Sequence, residues 1–286
     1  MRGLGTPSQC GTLRARNIND SEGVEVSSKP TLGLVLSGGG ARGIANIGVI
    51  DALRSHGLEP DFIAGSSSGA IIGALTAAGH SAEAMLEFFH RASPFRLSAV
   101  TMRKAGILDT AKVVDSFREY FPDDSFEALK IRLFLTATDI INARLKIFES
   151  GPLISAILAS CSMPMVFTPT EVDGRWYVDG GVINNFPIEP LRGRCDVVVG
   201  HYASPLRSVS QTDLSGVLAV SERALEVGMH AASKQKFHEC DVMLTCPQLN
   251  EYGLFDTKHH REIFDAGRRA TLAAMDSIQR AVDAVA

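Results

Sequence analysis

Asp61-Phe62-Ile63-Ala64-Gly65-Ser66-Ser67-Ser68-Gly69-Ala70-Ile71-Ile72-Gly73-Ala74-Leu75 is the stretch around which the chain is organised. Phe62 to Ala64 is a short apolar run of the kind that forms a buried strand. Ala70 to Leu75 is a run of small and aliphatic residues suited to a tightly packed helix. Between them lies Gly65-Ser66-Ser67-Ser68-Gly69, a Gly-x-Ser-x-Gly turn. Strand, turn and helix in that order form a nucleophile elbow, in which the central residue is held on a sharp, strained bend. The glycines two positions either side remove side chains that would clash. Ser67 then points off the sheet with its hydroxyl near the positive end of a helix. Taken alone, the same residues are equally a Gly/Ser-rich connection without chemistry, and with three serines in succession only the spacing singles out Ser67.

Bulk properties narrow the field. The 286 residues make one large domain or two small ones, and either can bury a substantial core. Lys plus Arg number 28 against 32 for Asp plus Glu, a formal charge of -4. That balance, with no arginine-rich run, offers no general attraction to nucleic acid. Cys10, Cys161, Cys195, Cys240 and Cys246 are odd in number and contain no Cys-x-x-Cys pair. Free thiols in a reducing, cytoplasmic setting fit better than a disulfide framework. Met1 to Asp20 lacks the continuous apolar core of a signal peptide. The most apolar helical run, Gly69 to Ala78, is far shorter than the ~20 residues that span a bilayer. The expectation is a soluble protein, at most peripheral at a membrane surface.

Residues 1–30 are rich in Gly, Ser, Asn and charge without apolar periodicity, and read as a disordered tail. Residues 31–286 read as a single domain. Leu32, Leu34, Val35 and Leu36 suit a buried parallel strand, followed by Gly38-Gly39-Gly40-Ala41-Arg42-Gly43 and a helix carrying Ile44, Ile47, Ile50 and Leu53. Beyond the elbow, helices are predicted from Ser81, from Thr110 to Phe121, from Pro152 to Ser160, from Leu214 to Phe237, and from Lys258 to Val285. Strands are predicted at Arg132 to Thr138, Leu145 to Phe148, Cys195 to Gly200 and Val242 to Thr245, with Trp176 to Val178 leading into Asp179. This alternation argues for an α/β fold, a three-layer sandwich with a mostly parallel central sheet. Arg91, Arg96, Arg103 and Lys104 are interleaved with Phe95, Leu97, Val100 and Met102 and no acidic residue. The stretch 91–104 suits a lid or a surface for anionic headgroups, and equally a packed surface helix and loop.

The first glycine cluster has two physical uses. Gly38, Gly40 and Gly43 match G-x-G-x-x-G between a strand and a helix, where dinucleotides bind. That use requires an acidic residue at the end of the second strand, which instead runs into Gly65-Ser66, with Asp61 at its beginning. A phosphate-binding P-loop fails as well, because Gly43 precedes Ile44 with no Lys-Ser/Thr. The other use is an oxyanion hole, in which unshielded N–H groups of Gly38, Gly39 and Gly40 meet a developing negative oxygen. Arg42 adds positive charge beside it, or is simply a solvated side chain. A third segment, Asp179-Gly180-Gly181-Val182-Ile183-Asn184-Asn185-Phe186-Pro187, is on its own a turn aspartate. It gains interest because a serine nucleophile needs a base.

Glycine loop, Gly-x-Ser-x-Gly and Asp-Gly-Gly in that order resemble the patatin-like phospholipase family of lipid acyl hydrolases, from about Gly33 to Pro190. Ala159-Ser160-Cys161-Ser162-Met163-Pro164 and Thr136-Ala137-Thr138-Asp139 look like two more of its recurring stretches. The resemblance implies a patatin-like variant of the α/β-hydrolase architecture acting as a phospholipase A or esterase on lipid carboxylic esters. It implies Ser67 as nucleophile, Asp179 as its catalytic partner without a histidine, and the backbone of Gly38, Gly39 and Gly40 as oxyanion hole. Gly43, Gly65, Gly69, Gly180 and Gly181 are the motif glycines, and Arg42 supports the oxyanion. Asn46 departs from the pattern, since many relatives carry histidine there. No cofactor or metal is implied, and His259 and His260 have no nearby ligand at a useful helical spacing. Three alternatives stay open: a Ser-Asp-His triad using His201, an acyltransferase using the same acyl-serine, and a non-catalytic lipid-binding or regulatory protein.

Overall fold

The computed structural model describes residues 29–91 and 110–286. The expected tail, residues 1–28, and the basic-apolar stretch from residue 92 to 104 lie outside the described residues. Arg91, at its border, pairs with Glu87 at 2.8 Å.

The chain opens with β1 (Leu32–Leu36), a 3-10 turn (Gly40–Ile44) and α1 (Ala45–Ser55). The elbow contributes β2 (Phe62–Ser66) and α2 (Ser68–Ala78). Then come α3 (Ala82–Arg91), α4 (Thr110–Tyr120), β3 (Arg132–Asp139), β4 (Arg144–Phe148) and α5 (Leu153–Cys161). A short β5 (Thr170–Val172), absent from the sequence expectations, precedes β6 (Arg175–Asp179) and a single-turn α6 (Gly181–Asn184). The chain continues through β7 (Val197–Tyr202), α7 (Val217–Lys234), β8 (Val242–Thr245) and α8 (His260–Asp283).

The eight strands form one sheet in the order β5-β6-β3-β2-β1-β7-β8, with β4 on β3. The pairs β2–β1, β1–β7, β2–β3 and β7–β8 are parallel; β4 and β6 run the other way, and β5, antiparallel to β6, returns to the common direction. β1 and β7 are buried along their whole length, as the unbroken apolar run of a doubly covered parallel strand requires. One face packs on α1, α2, α3, α5 and α8, with Ile47, Ile50, Leu53, Met85, Phe88 and Phe89 all buried. The other face is covered more thinly, by Phe186, Ile188 and Leu191 against Val35, Ala64, Phe134, Val198 and Tyr202 of the sheet. Among the described residues, no helix is long and apolar enough to cross a membrane.

Two boundaries differ from the sequence expectations, for physical reasons. α7 starts at Val217 rather than Leu214, because Gly216 adopts φ +96 and separates it from a 3-10 turn at Gln211–Leu214. β7 runs on to Tyr202, since its pairing with β1 and β8 continues through His201 and Tyr202. His201 is therefore a strand residue in the sheet interior.

Chain order reverses around β1, since β2 and β3 lie to one side of it and β7 and β8 to the other. In open α/β sheets the crevice at such a reversal, beyond the carboxyl ends of the strands, is where sites form. The glycine loop after β1 and the segment after β7 meet there. The Ala203 N–H donates to Ser37 Oγ at 2.8 Å, and Ser204 Oγ donates to the Gly38 carbonyl at 2.8 Å.

Candidate active site

Strand β3 aligns the two central residues. Its Leu135 and Thr136 pair with Gly65 and Ser66 of β2 on one edge and with Phe148 and Ile147 of β4 on the other. At the next residue the β4 edge continues, while β2 has ended and β6 has taken its place, with Ala137 opposite Asp179. β2 and the antiparallel β6 thus meet head-on along one edge of β3. Ser66 and Asp179 stand against consecutive β3 residues, and Ser67 is the residue that leaves the sheet at the junction.

The elbow is strained as expected. Ser67 adopts φ 53 and ψ -126, a backbone region that residues with a side chain rarely occupy. The flanking glycines are required by close approach: a Cβ on Gly65 would lie 2.5 Å from the Gly69 carbonyl oxygen, and one on Gly69 would lie 2.2 Å from that of Leu36.

The segment at the end of α5 ties serine and aspartate together. Ser160 Oγ accepts the Ser67 N–H at 2.9 Å, and the Cys161 thiol donates to the Ser67 carbonyl at 3.3 Å. The Ser162 carbonyl accepts the Asp179 N–H at 2.9 Å, and the Ser160 carbonyl accepts that of Gly180 at 3.3 Å. The Gly181 N–H donates to Asp179 Oδ1 at 2.7 Å. One short segment therefore fixes the elbow from one side and the aspartate from the other. Gly43 faces Ser68 across the loop, and Gly180 lies over Thr136 of β3.

Ser66 Oγ, Ser67 Oγ, Ser68 Oγ and Asp179 Oδ2 are buried here without a hydrogen-bond partner among the described residues, and of these residues Ser67 and Asp179 line the same chamber. Burial raises the Asp179 carboxyl to about 6, an effect the Ser67 hydroxyl and the Gly181 N–H partly offset. The hydroxyl thus lies close enough to influence the carboxyl without a well-formed hydrogen bond.

The glycine loop divides differently from expectation. The Gly38 N–H is already engaged, donating to Asn185 Oδ1 at 3.1 Å, so it is not open to an incoming oxygen. The N–H groups of Gly39 and Gly40 make no hydrogen bond among the described residues. Their orientation follows from the carbonyls beside them, because N–H and C=O point in opposite directions across a trans peptide. The Gly38 carbonyl is held by Ser204 Oγ, and the Gly39 carbonyl accepts the Arg42 N–H at 3.1 Å and Arg42 Nε at 3.5 Å. Arg42 is not solvated: its side chain is 5% exposed and lies 3.6 Å from Glu226.

Ser67, Asp179, Gly39, Gly40 and Arg42 line one chamber. The remaining walls are largely apolar, with Met163, Met165, Leu206, Leu225 and Met229, the last two from α7. About 50 Å³ is free inside, room for a water or two. Among the described residues, no histidine lines it. His201 is wholly buried, its Nδ1 2.5 Å from Asn46 Oδ1 and its Nε2 3.5 Å from Cys246 Sγ. Burial depresses its imidazole to about 3. Asn46 also donates to the Ser37 carbonyl at 3.2 Å, so it braces the glycine loop against β7. Asn185, Ser160 and Cys161 had no individual role in the sequence reading. Asn185 follows a recognisable Asp-Gly-Gly, yet its partner is 147 residues away.

An "Uncharacterized NTE family protein" of Mycobacterium tuberculosis is 41% identical over 176 residues, 59% of this chain and 48% of that one. The "Lysophospholipase NTE1" of Yarrowia lipolytica is 30% identical over 279 residues, 85% of this chain and 19% of that one. The chain thus spans about half the length of the first of these relatives and less of the second. VipD from Legionella pneumophila shares the fold, with a TM-score of 0.51 at 14% identity over 88% of this chain and 67% of that one. The patatin-like phospholipase profile matches residues 34–192, which is more than half of the chain, and includes the glycine loop, the elbow and the aspartate. The chain belongs to the patatin-like phospholipase family.

Proposed function

We propose that the protein is a lipid acyl hydrolase that cleaves carboxylic esters through an acyl-Ser67 intermediate, with Asp179 as the only side-chain base. The observation that carries this reading is the pair of orphaned buried atoms, Ser67 Oγ and Asp179 Oδ2, in one chamber with the unbonded N–H groups of Gly39 and Gly40. The carboxylate accepts the hydroxyl proton as Oγ attacks the ester carbonyl carbon. The tetrahedral oxyanion is stabilised by the Gly39 and Gly40 N–H groups, with the N-terminus of α2 behind Ser67. On collapse the C–O bond breaks, the leaving alkoxide takes the proton from Asp179, and an alcohol or lysolipid departs. Water then attacks the acyl ester, delivering its proton to Asp179, and Ser67 is regenerated.

An aspartate of ordinary acidity is a weak base, and the burial that lifts Asp179 to about 6 improves it while leaving most of it ionised at neutral pH. Arg42 and Asn185 act as positioning residues, holding the carbonyl of Gly39 and the backbone of Gly38 so that the two free N–H groups stay aimed. The buried, neutral His201 plays no part in proton transfer. The apolar chamber walls suit an acyl chain, which is consistent with the lysophospholipase name of the yeast relative. The test is covalent labelling by a fluorophosphonate, expected on Ser67 and absent from Ser67→Ala. A folded wild type that takes no label would favour the non-catalytic regulator.

A further inference from the structure

The catalytic chamber is nearly full. Its free volume of about 50 Å³ holds a water or two, whereas small-molecule sites ordinarily offer roughly 300–1,000 Å³. The acyl chain of a lipid therefore enters only if a wall gives way. The elbow, the aspartate turn and the glycine loop are each pinned by hydrogen bonds from other segments. The wall that α7 supplies, through Leu225 and Met229, is held differently.

Beyond Gly228 this helix is anchored. Met229 touches the aspartate turn, where a Cβ on Gly181 would lie 2.6 Å from its Cε. Ser233 is buried, and Lys236, just past the helix, donates to Asn184 Oδ1 at 2.7 Å and to Glu189 Oε1 at 2.5 Å. Phe237 packs on Phe186 and Tyr202, with ring centroids 5.2 and 5.0 Å away. In residues 217–228, by contrast, no residue is buried. Their polar side-chain ties to the rest of the described residues are the Arg42–Glu226 pair at 3.6 Å and the bond from Arg223 Nη2 to the Arg207 carbonyl at 3.0 Å. On the outer side Val217, Val220 and Val227 are exposed, so that side is uncovered among the described residues.

Glycines bound the loosely held part. Gly216 precedes it at φ +96. Gly228 closes it from inside the helix, where glycine weakens helical structure relative to alanine. Neither space nor backbone demands a glycine at 228: an added Cβ would meet nothing within 4 Å, and its φ is not positive. What glycine supplies there is a soft joint between an anchored half and a loose one.

We propose that residues 217–228 form a hinged roof over Ser67, turning at Gly216 and Gly228, whose opening decides the length of acyl chain the site accepts. The inference rests on the acyl-hydrolase reading and adds a selection step to it. An acetyl group needs little room and reacts with the roof closed. A fatty acyl chain reacts only after Leu225 has lifted and the Arg42–Glu226 pair has parted. Its turnover therefore carries the cost of opening, which a short acyl group avoids.

The experiment compares wild type with Gly228→Ala on p-nitrophenyl acetate and p-nitrophenyl laurate, which share a leaving group and differ in acyl length. Gly228 does not line the chamber, so alanine there stiffens the joint without reshaping the wall. The expected result is a fall of roughly fivefold in the ratio of kcat/KM for laurate over that for acetate, the factor by which a helix favours alanine over glycine, with the acetate rate unchanged. A second arm follows amide hydrogen exchange in the inert Ser67→Ala protein. Residues 217–228 should exchange faster than residues 229–234, and adding Gly228→Ala should slow them. A ratio that stays at the wild-type value would overturn the proposal while leaving the hydrolase intact, and would route the acyl chain past the half-exposed Met165 instead. Equal protection along the whole of α7 would also overturn it, as would loss of both activities by the same factor. A wild type that turns over neither ester, with the unequal exchange retained, would count against the hydrolase reading and keep the hinged roof.

Discussion

Replacing Asp179 with Asn should make the protein more stable and nearly inactive, and the size of the gain can be worked from the site. The carboxyl titrates near 3.8 when unperturbed and at about 6 in the folded chain, with desolvation the leading cause. Roughly two pKa units at 1.36 kcal/mol each is about 3 kcal/mol, the cost of keeping the carboxylate ionised in its buried place. Because the folded pKa is raised, the native state binds more protons than the unfolded state between about pH 4 and pH 6. Stability from this group is therefore greatest below its unfolded pKa and is lost as pH rises through 6. Asparagine has no such titration and fits the site, since its carbonyl can still accept the Gly181 N–H and its amide can donate to the orphaned Ser67 Oγ. Urea denaturation should show Asp179→Asn more stable by about 2–3 kcal/mol at pH 8, with the gap closing below pH 6 and nearly gone by pH 4. Ester turnover should fall by about 10²–10⁴, the usual contribution of a general base. A wild type as stable as the variant at pH 8, or a gap that does not change with pH, would refute the assignment of Asp179 as a buried, desolvated base.

The same titration predicts that kcat/KM on a neutral ester rises with unit slope up to pH 6 and is flat above it; a profile still climbing through pH 8 would point to another base. Ser67→Gly and Ser67→Ala should both be inert to fluorophosphonate, but the glycine variant should be more stable by about 1 kcal/mol, because only glycine relaxes at φ 53. Equal unfolding midpoints would show that the elbow stores no strain. Asn185→Ala, which frees the Gly38 N–H and loosens the loop, should lower kcat by roughly 10- to 100-fold while leaving KM near wild type; a change in KM alone would place Asn185 in substrate binding instead. His201→Asn should leave turnover within a few-fold of wild type. It should cost about 1–3 kcal/mol of stability at pH 7, because it breaks a buried polar pair. His201 is depressed to about 3, so the unfolded state takes up the proton first as pH falls below 6.5. Wild type alone loses stability through that window, and the gap to His201→Asn should narrow toward pH 4.

Much of the fold was legible because the signals are local. Leu32 to Leu36 reads as a doubly buried strand from its own residues, and Gly65 and Gly69 mark the bend that their close carbonyl neighbours require. Errors arose where a boundary depends on a distant partner. β7 extends through His201 because β1 and β8 supply ladder partners there, and neither is visible in the segment itself. That extension turned the one histidine suited to a triad into a buried brace. The short strand β5 exists only through its pairing with β6. Gly38 was assigned to the oxyanion hole from its position in the glycine run, but the group that engages its N–H comes from the far side of the site.

The sequence by itself determined the class of chemistry under proposal: a serine on a strained elbow, an aspartate before two glycines, and a glycine loop to receive charge. Each of these is a backbone requirement that a few neighbouring residues impose, so each survives in one dimension. Tertiary structure alone decided how the parts cooperate. β3 pairs with β2 up to Thr136 and with β6 from Ala137, and this brings Ser67 to Asp179 across more than a hundred residues of chain. Burial then raises the carboxyl, the end of α5 clamps both partners, and Asn185 leaves the N–H groups of Gly39 and Gly40 free. Desolvation and hydrogen-bond geometry are properties of what surrounds an atom, and that is set only when distant segments pack.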